Sequence, residues 1–276
     1  MHTKYKELQR ILREMDRIVV AFSGGVDSTF LLKAALDTLG RDRVLAVTAD
    51  SETYPSEELK EAKHIAVELE AQHEVIYTSE LGIPGYAENT ASRCYFCKKN
   101  LFDNLVPLLD ARGYKQVVYG LIADDMGEHR PGVTAAKEMG VRGPLQEAGL
   151  YKHEIRELSK EMGLPTWDKP SFACLSSRIA YGETITAAIL DRIGQAEQYI
   201  KELGIRQVRV RTSDDTARIE VEPADMNRVM EHHDKISKRL TALGYKYVSL
   251  DLSGYKSGSM NRVLQNGSAV ANRFIN

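Results

Sequence analysis

The segment Ser23-Gly24-Gly25-Val26-Asp27-Ser28 constrains the fold more than any other part of the chain. It follows a short apolar, β-branched run at residues 17–22 and opens a helical pattern at residues 27–39. Glycines at such a junction let the backbone turn sharply and present successive N–H groups to an anion, and the helix dipole adds positive potential. The segment therefore predicts an anion-binding loop. A glycine turn with Asp27 or Ser28 capping the helix, and no ligand, is the alternative.

Strands and helices alternate around this loop. Further apolar strands are predicted at residues 43–49, 74–77 and 116–121, and helices at residues 3–16, 55–71 and 98–111. Such alternation with continuous apolar strands is typical of an α/β fold with a parallel sheet covered on both faces. Ligands of such sheets bind beyond the carboxyl ends of the strands, where the glycine loop is placed.

The pattern changes after residue 182. A helix at residues 185–203, paired strands at 207–211 and 217–221, a helix at 224–243 and a strand at 246–250 follow. We therefore expect two domains, residues 1–182 with the loop and the cysteines, and residues 183–276 as a smaller α/β domain.

The charge balance and the N-terminus limit the partners. The 276 residues contain 37 Lys and Arg against 39 Asp and Glu, a formal net charge of −2. Such a balance gives no general attraction to nucleic acid or to anionic lipid. The charged start MHTKYKELQR has no apolar signal region, and no apolar run is long enough to cross a membrane. We expect a cytoplasmic protein without nucleic-acid or membrane partners.

The chain has only three cysteines, Cys94, Cys97 and Cys174. An odd and low number excludes a disulfide framework and indicates a reducing compartment. Three interpretations stay open on the residues alone. They are a zinc site completed by His64 or His129, a redox pair of Cys94 and Cys97, and a [4Fe-4S] cluster held by three thiolates.

The string SGGVDS resembles the SGGxDS signature of the PP-loop ATP pyrophosphatase superfamily. The resemblance implies ATP cleavage between the α- and β-phosphates, with adenine near Ala49 and Ser51. It also implies Mg²⁺ bound by Asp27 and Asp125, although a solvated acidic turn is the alternative for Asp124 and Asp125. The nucleotide-binding residues that it implies are Ser23, Gly24, Gly25, Asp27, Ser28, Ala49, Ser51, Gly120, Asp124 and Asp125.

Further strings resemble the LarE family of ATP-dependent sulfur transferases. They are ACLSSRIAYG at 173–182, HRPG at 129–132, PLQEA at 144–148, WDKP at 167–170, RVR at 209–211, ARIEV at 217–221 and GYKSGS at 254–259. The resemblance covers nearly the whole chain. It implies synthesis of the nickel-pincer nucleotide cofactor, by adenylation of the carboxylates of pyridinium-3,5-biscarboxylic acid mononucleotide and replacement of oxygen by sulfur.

The family resemblance also implies roles for the cysteines. In one version of the family a lone cysteine, at the position of Cys174, gives up its own sulfur. In the other, that cysteine and a Cys-x-x-Cys pair hold a [4Fe-4S] cluster that carries exchangeable sulfide. Because this chain has Cys94, Cys97 and Cys174, it fits the cluster version, with sulfide or another sulfur donor as a partner.

Arginines complete the predicted site. Arg178, close to Cys174, is predicted to stabilise an oxyanion or phosphates, with a surface ion pair as the alternative. Arg209 and Arg211 alternate along a strand and project from one face, which suits the phosphate of a mononucleotide substrate. The family resemblance implies that such arginines hold a phosphate in a homo-oligomer. A solvated edge strand is the alternative for these two arginines.

Two other functions compete with this prediction. One is a tRNA thiolase of the same superfamily, because some of these enzymes also use three cysteines. The net charge of −2 and the lack of an evident RNA-binding module count against it. The other is a non-catalytic nucleotide sensor with a structural zinc ion.

Overall fold

The computed structural model describes residues 1–127, 131–256 and 258–259. His129 and Arg130 of the HRPG string, and Ser257 of the GYKSGS string, lie outside the described residues. The described chain divides into two compact units, which are treated separately below. The first comprises Met1–Ile83 and Ser92–Phe172, and the second comprises Pro84–Ala91 and the described residues from Ala173 onward.

The first unit is a parallel sheet with helices. Its strands are β1 (Ile18–Ala21), β2 (Val44–Asp50), β3 (Gln72–Tyr77) and β4 (Gln116–Tyr119). Its helices are α1 (His2–Met15), α2 (Val26–Leu39), α3 (Ser56–Glu68), α4 (Arg93–Leu105), α5 (Pro107–Arg112), α6 (Pro131–Glu138), α7 (Pro144–Glu147) and α8 (Lys152–Glu161).

The strand order is β3-β2-β1-β4, and every pairing is parallel. The chain therefore moves from β1 to β2 and β3 on one side and returns to place β4 on the other side of β1. In an open α/β sheet the crevice at such a reversal is where ligands bind. The predicted α/β fold with a parallel sheet is confirmed, and the loop after β1 lies at this position.

Helix packing follows the apolar spacing of the sequence. In α1, Leu8, Ile11, Leu12 and Met15 are buried, which places one helix stripe in the core. The helix α2 is buried more widely, since it crosses the centre of the unit beside α1 and α8.

The second unit contains a smaller mixed sheet in the order β5-β6-β7. The pair β5–β6 is antiparallel, and β6–β7 is parallel. The elements are β5 (Val208–Ser213), β6 (Thr216–Val221), β7 (Tyr247–Leu250), α9 (Ala187–Glu202), α10 (Met226–Glu231) and α11 (His233–Ala242).

Two predicted helices differ from the structure. The helix predicted at 98–111 begins earlier, at Arg93, and is interrupted before Pro107, which has no N–H to continue the helical ladder. The helix predicted at 224–243 is divided at His232, whose φ of −104° and ψ of 13° depart from helical values.

The compact units also divide the chain at other residues than the predicted boundary after residue 182. Residues 173–182 pack with the second unit because Ile179 bridges to Thr212 and the amide of Ala180 donates to the Thr212 carbonyl. Residues 84–91 join them through the amide of Ile185, which donates to the Ala87 carbonyl. Among the described residues, no helix is long and apolar enough to span a bilayer.

Candidate active site

The loop after β1 has a fixed conformation. Gly24 has φ +61°, a value that favours glycine, and a Cβ there would lie 3.0 Å from the Cα of Ala62. The hydroxyls of Ser23 and Ser28 lie 3.1 Å apart, and Ser28 Oγ donates to the Gly25 carbonyl at 3.2 Å. These contacts turn the loop tightly into α2, whose N-terminal amides are suited to an anion.

Gly120, directly after β4, approaches the same loop. A Cβ at this position would lie 3.1 Å from the Ser28 nitrogen and 3.2 Å from the Asp27 Cβ. Only a glycine lets the end of β4 lie this close without displacing backbone atoms. Gly120 therefore closes one side of the crevice between β1 and β4.

Asp27 forms an ion pair with a residue that the sequence did not single out. The Lys152 ammonium donates to the two carboxylate oxygens of Asp27 at 2.8 and 2.7 Å. Burial raises the pKa of the Asp27 carboxyl above its ordinary value, Lys152 opposes this increase, and the negative charge of Asp125 adds to it. A half-buried carboxylate beside a second carboxylate favours a cationic partner.

Asp124 and Asp125 lie in the 3-10 helix Ala123–Gly127 beside this pair. Asp124 accepts from the backbone N–H of Lys152 at 2.8 Å, and Asp125 accepts from the N–H of Ile122 at 3.2 Å. In the part of the chain that the structure describes, no group of three His, Cys, Asp or Glu side chains could hold a metal ion. The oxygen donors of Asp27 and Asp125 nevertheless suit Mg²⁺, which keeps several waters and needs few carboxylates.

The end of β2 provides the predicted adenine region. Ala49 lies on β2, and Ser51 follows it, with its Oγ 3.2 Å from Thr53 Oγ1. Thr53 in turn donates to the buried Glu80 at 3.3 Å. Because parallel strands end at one edge of the sheet, these residues lie at the same edge as the glycine loop.

Cys94 and Cys97 lie in the first turns of α4 rather than before a helix as expected from the sequence. Three residues apart, they lie on one helix face. Cys94 is exposed, and Cys97 Sγ is 3.9 Å from Glu80 Oε1. Burial raises the pKa of the Glu80 carboxyl. All three cysteines are described, and none forms a disulfide.

Cys174 belongs to the second unit, where Arg178 determines its backbone conformation. The Arg178 guanidinium donates to the Ala173 and Cys174 carbonyls at 2.5 and 2.9 Å. It also forms a two-point ion pair with Glu197, with both distances 2.8 Å. Arg178 is 1% exposed, so the alternative of a surface ion pair is wrong.

Arg209 and Arg211 lie on β5 and are buried, so the alternative of a solvated edge strand is wrong. The Arg211 guanidinium pairs with Glu220 at 2.8 Å and donates to the Ser177 carbonyl at 2.8 Å. Arg209 lies over the ring of Tyr255 at 5.4 Å. Burial, together with the nearby positive charge of Arg178, lowers the pKa of Arg209 to about 10.

Three side chains at the glycine loop were missed by sequence reasoning. Lys152 donates to the Asp27 carboxylate, Lys169 donates to the Gly24 carbonyl, and Tyr54 donates to the Ser23 carbonyl. The sequence contains one weak signal for Lys152. Glu154 accepts from the Tyr151 N–H, a capping contact that marks the start of a helix at Lys152. His64, a candidate zinc ligand, is exposed on α3, and His129, the other candidate, lies outside the described residues.

Comparison with known proteins agrees with this arrangement. A profile of the NAD synthase family matches residues 5–89, which include the glycine loop. The pyridinium-3,5-bisthiocarboxylic acid mononucleotide synthase of Lactiplantibacillus plantarum is 40% identical over 95% of this chain and 95% of its own length. The chain belongs to the LarE family.

The LarE family membership extends over both units. An uncharacterized protein of Synechocystis is 44% identical over 96% of this chain and 99% of its own length. An uncharacterized protein of Methanocaldococcus jannaschii is 28% identical over 87% of this chain and 91% of its own length. The similarity to these relatives covers nearly the whole chain, including the glycine loop after β1. The sequence-based assignment to the LarE family is confirmed.

Proposed function

We propose that this LarE-family chain is an ATP-dependent sulfur transferase that converts carboxylates of pyridinium-3,5-biscarboxylic acid mononucleotide into thiocarboxylates. The observation that carries the proposal is the 40% identity, over 95% of both chains, to a synthase named for the corresponding bisthiocarboxylic acid product. The tightly turned glycine loop at the sheet reversal supports the use of ATP.

The first step of the proposed reaction is adenylation. A substrate carboxylate oxygen attacks the α-phosphorus of ATP, the bond to the β-phosphate breaks, and pyrophosphate leaves. Ser23, Ser28 and the Gly24 and Gly25 amides would donate to the departing pyrophosphate. Asp27 and Asp125 would bind Mg²⁺, which neutralises phosphate charge when bound.

Lys152 adds a role in this step. Its ammonium group balances the Asp27 carboxylate, one of the two that would hold Mg²⁺ when ATP is bound. Lys152 would then be free to donate to a phosphate oxygen from its position at the start of α8. The half-buried Asp27 carboxylate would therefore have a cationic partner with and without ATP.

The second step replaces oxygen by sulfur. A sulfur nucleophile attacks the acyl carbon of the adenylate, and AMP leaves with the former carboxylate oxygen. We propose that Cys94, Cys97 and Cys174 hold a [4Fe-4S] cluster that supplies this sulfur from sulfide. The i, i+3 spacing of two thiols on α4 and the Cys174 carbonyl held by Arg178 support this assignment of the ligands.

Arg178 is a positioning residue in this scheme. Its guanidinium donates to Glu197 and to the carbonyls of Ala173 and Cys174, so it would hold the third ligand in place. Arg209 and Arg211 are the proposed ligands of the substrate phosphate, in a homo-oligomeric enzyme. Arg209 and Arg211 are buried on β5, and guanidinium groups bind phosphate oxygens through paired N–H donors.

The test is reconstitution under anaerobic conditions. The purified protein is incubated with the biscarboxylic mononucleotide, ATP, Mg²⁺ and sulfide, and AMP, pyrophosphate and the product mass are measured. We expect oxygen-to-sulfur exchange with release of both AMP and pyrophosphate. Pyrophosphate formation without sulfur incorporation, or no ATP consumption at all, would reject the proposal.

Metal analysis tests the sulfur source separately. Iron, acid-labile sulfide and the visible absorption spectrum are measured before turnover, and the protein mass is measured afterwards. We expect about four irons per chain and an unchanged protein mass. A colourless active protein that loses the Cys174 sulfur would establish the sacrificial route, and stoichiometric zinc would indicate a structural site.

Filter binding with bulk tRNA examines the alternative substrate. The tRNA thiolase alternative rests on the three cysteines, and the net charge of −2 opposes it. We expect no tight, salt-sensitive binding. Such binding, together with thiolation of the bound tRNA, would show that tRNA and not the mononucleotide is the substrate.

A further inference from the structure

Two successive carbonyl groups of the glycine loop accept hydrogen bonds from side chains of distant parts of the sequence. Tyr54 Oη donates to the Ser23 carbonyl at 2.8 Å, and Lys169 Nζ donates to the Gly24 carbonyl at 3.1 Å. All four residues belong to the first compact unit. Peptide units that ordinarily rotate freely in a glycine-rich turn are therefore each fixed by one donor.

The direction of each of these two carbonyls also fixes the direction of the N–H group in the same peptide unit. In a planar trans peptide unit the C=O and the following N–H point in opposite directions. The Ser23 carbonyl shares its peptide unit with the Gly24 N–H, and the Gly24 carbonyl shares its unit with the Gly25 N–H. Donors that hold the carbonyls on one side therefore direct both N–H groups to the other side, as an anion nest requires.

Carboxylates next to the Lys169 ammonium group indicate that this residue donates to the Gly24 carbonyl and does not serve as a phosphate ligand. Its ammonium group is 2.8 Å from a carboxylate oxygen of Glu58 and 2.8 Å from one of Glu61, both on α3. Lys169 itself is 8% exposed. Two carboxylates balance its charge locally, so its remaining contribution to the loop is a directed N–H donor.

Tyr54 is held equally firmly. Its ring packs edge-on against Phe172 with centroids 5.4 Å apart, and its hydroxyl also lies 3.4 Å from the Glu58 carbonyl. Burial, with the nearby carboxylates of Glu58 and Glu61, raises the pKa of the Tyr54 phenol, so the hydroxyl keeps its proton. The donor to Ser23 is thus permanent near neutral pH.

We infer that Tyr54 and Lys169 are positioning residues that preset the Gly24 and Gly25 amides for the pyrophosphate part of ATP. The inference rests on the proposed use of ATP. A loop with preset amides binds an anion without first losing conformational entropy. Removal of either donor should weaken phosphate recognition and leave recognition of the nucleoside unchanged.

The experiment measures binding of inorganic pyrophosphate and of adenosine, each with Mg²⁺, by titration calorimetry on the full chain. Tyr54→Phe removes one hydroxyl only, and Lys169→Met removes the ammonium group. We expect roughly three- to ten-fold weaker pyrophosphate binding in each variant, the range for one lost hydrogen bond, with adenosine binding unchanged. Lys169→Arg, which keeps charge and donors, should recover part of the loss.

Matched controls are present in the same unit. Tyr77→Phe changes an exposed tyrosine, and Lys60→Met removes an exposed ammonium group on α3 that pairs with Glu57. Both should bind pyrophosphate like the wild type. If Lys169→Met is unstable because Glu58 is left unpaired, the double variant with Glu58→Gln restores the local charge balance and gives the same comparison.

The outcomes separate the inference from the proposed function. Unchanged pyrophosphate binding in Tyr54→Phe and Lys169→Met, or equal losses for pyrophosphate and adenosine, would overturn the positioning role. Wild-type protein that binds adenosine and no pyrophosphate would reject the proposed ATP chemistry and the inference together.

Discussion

The Lys152 ammonium group lies 2.8 and 2.7 Å from the two carboxylate oxygens of Asp27, 125 residues earlier in the chain. Asp27 is the acidic residue of the glycine loop, and Lys152 is the first residue of α8. The pair places a cation at the position where the proposed reaction requires positive charge.

Lys152→Met should weaken ATP binding roughly ten- to hundred-fold, the range for a lost charged hydrogen bond. Burial raises the pKa of Asp27 and Lys152 opposes this increase. Its removal should therefore raise that pKa further and move the acidic limb of pyrophosphate release to higher pH. The pH profile of pyrophosphate release measures the shift. Lys33→Met, which removes another Lys–Asp pair of α2, is the control and should leave the profile in place.

Glu197→Gln should destabilise the second unit by about 3–5 kcal/mol, because it leaves the buried Arg178 charge without its partner. Burial alone would raise the pKa of Glu197, but Arg178, Arg209 and the Val210 N–H hold it below its ordinary value. A lowered carboxyl pKa contributes stability above the unfolded pKa, and this stability is lost as the pH falls through the folded pKa.

Thermal unfolding between pH 7 and pH 3 tests this prediction. The wild type should lose stability on acidification, and Glu197→Gln should be less stable at pH 7 with a flatter pH dependence. Glu202→Gln, on the exposed side of the same helix α9, should behave like the wild type. Equal pH dependence in wild type and Glu197→Gln would contradict the role of the pair.

Two glycine substitutions should have opposite effects. A Cβ at Gly120 would lie 3.1 Å from the Ser28 nitrogen, so Gly120→Ala should destabilise the fold by about 1–3 kcal/mol and weaken ATP binding. Gly194 lies inside α9, where a Cβ would meet Leu175 Cδ1 at 3.5 Å, an ordinary contact. Gly194→Ala should stabilise by roughly 0.5–1 kcal/mol, as measured by denaturant unfolding.

Arg211→Met should weaken binding of the mononucleotide substrate at least about ten-fold, since hydrogen bonds to charged groups contribute roughly 1.5–3 kcal/mol. Because Arg211 lies in the second unit, ATP binding by the loop of the first unit should not change. Titration with each ligand measures the two effects. Arg239→Met, an exposed arginine on α11, is the control, and an equal loss in both variants would indicate a non-specific charge effect.

Most of the first unit was predictable because its signals are local. The β-branched runs that form β1 to β4 and the apolar spacing of α1 and α2 follow from periodicity, which is a property of short segments. The order β3-β2-β1-β4 is not encoded by such segments. The interruption before Pro107 has a local cause, because proline has no N–H for the helical ladder, whereas the division at His232 has no such local signal.

The candidate site was predictable only in part. The glycine loop and the Cys94–Cys97 pair are visible as strings; the loop lies between strand and helix as predicted, whereas the two cysteines lie within α4 and not before it. The buried state of these arginines was not visible, because a surface ion pair stayed open for Arg178 and a solvated edge strand for Arg209 and Arg211. Their burial depends on Glu197 and Glu220, carboxylates whose position opposite the arginines follows from the packing of α9 and β6 on β5.

By itself, the sequence determined the α/β class, the position of the glycine loop between strand and helix, and membership of the LarE family. Only the tertiary structure decided which cations hold that loop. Lys152 and Lys169 lie 125 and 145 residues from the groups that they contact, and no local pattern records such a pairing. The pairing arises when the segments pack together, because buried carboxylates and carbonyls then require donors at that place.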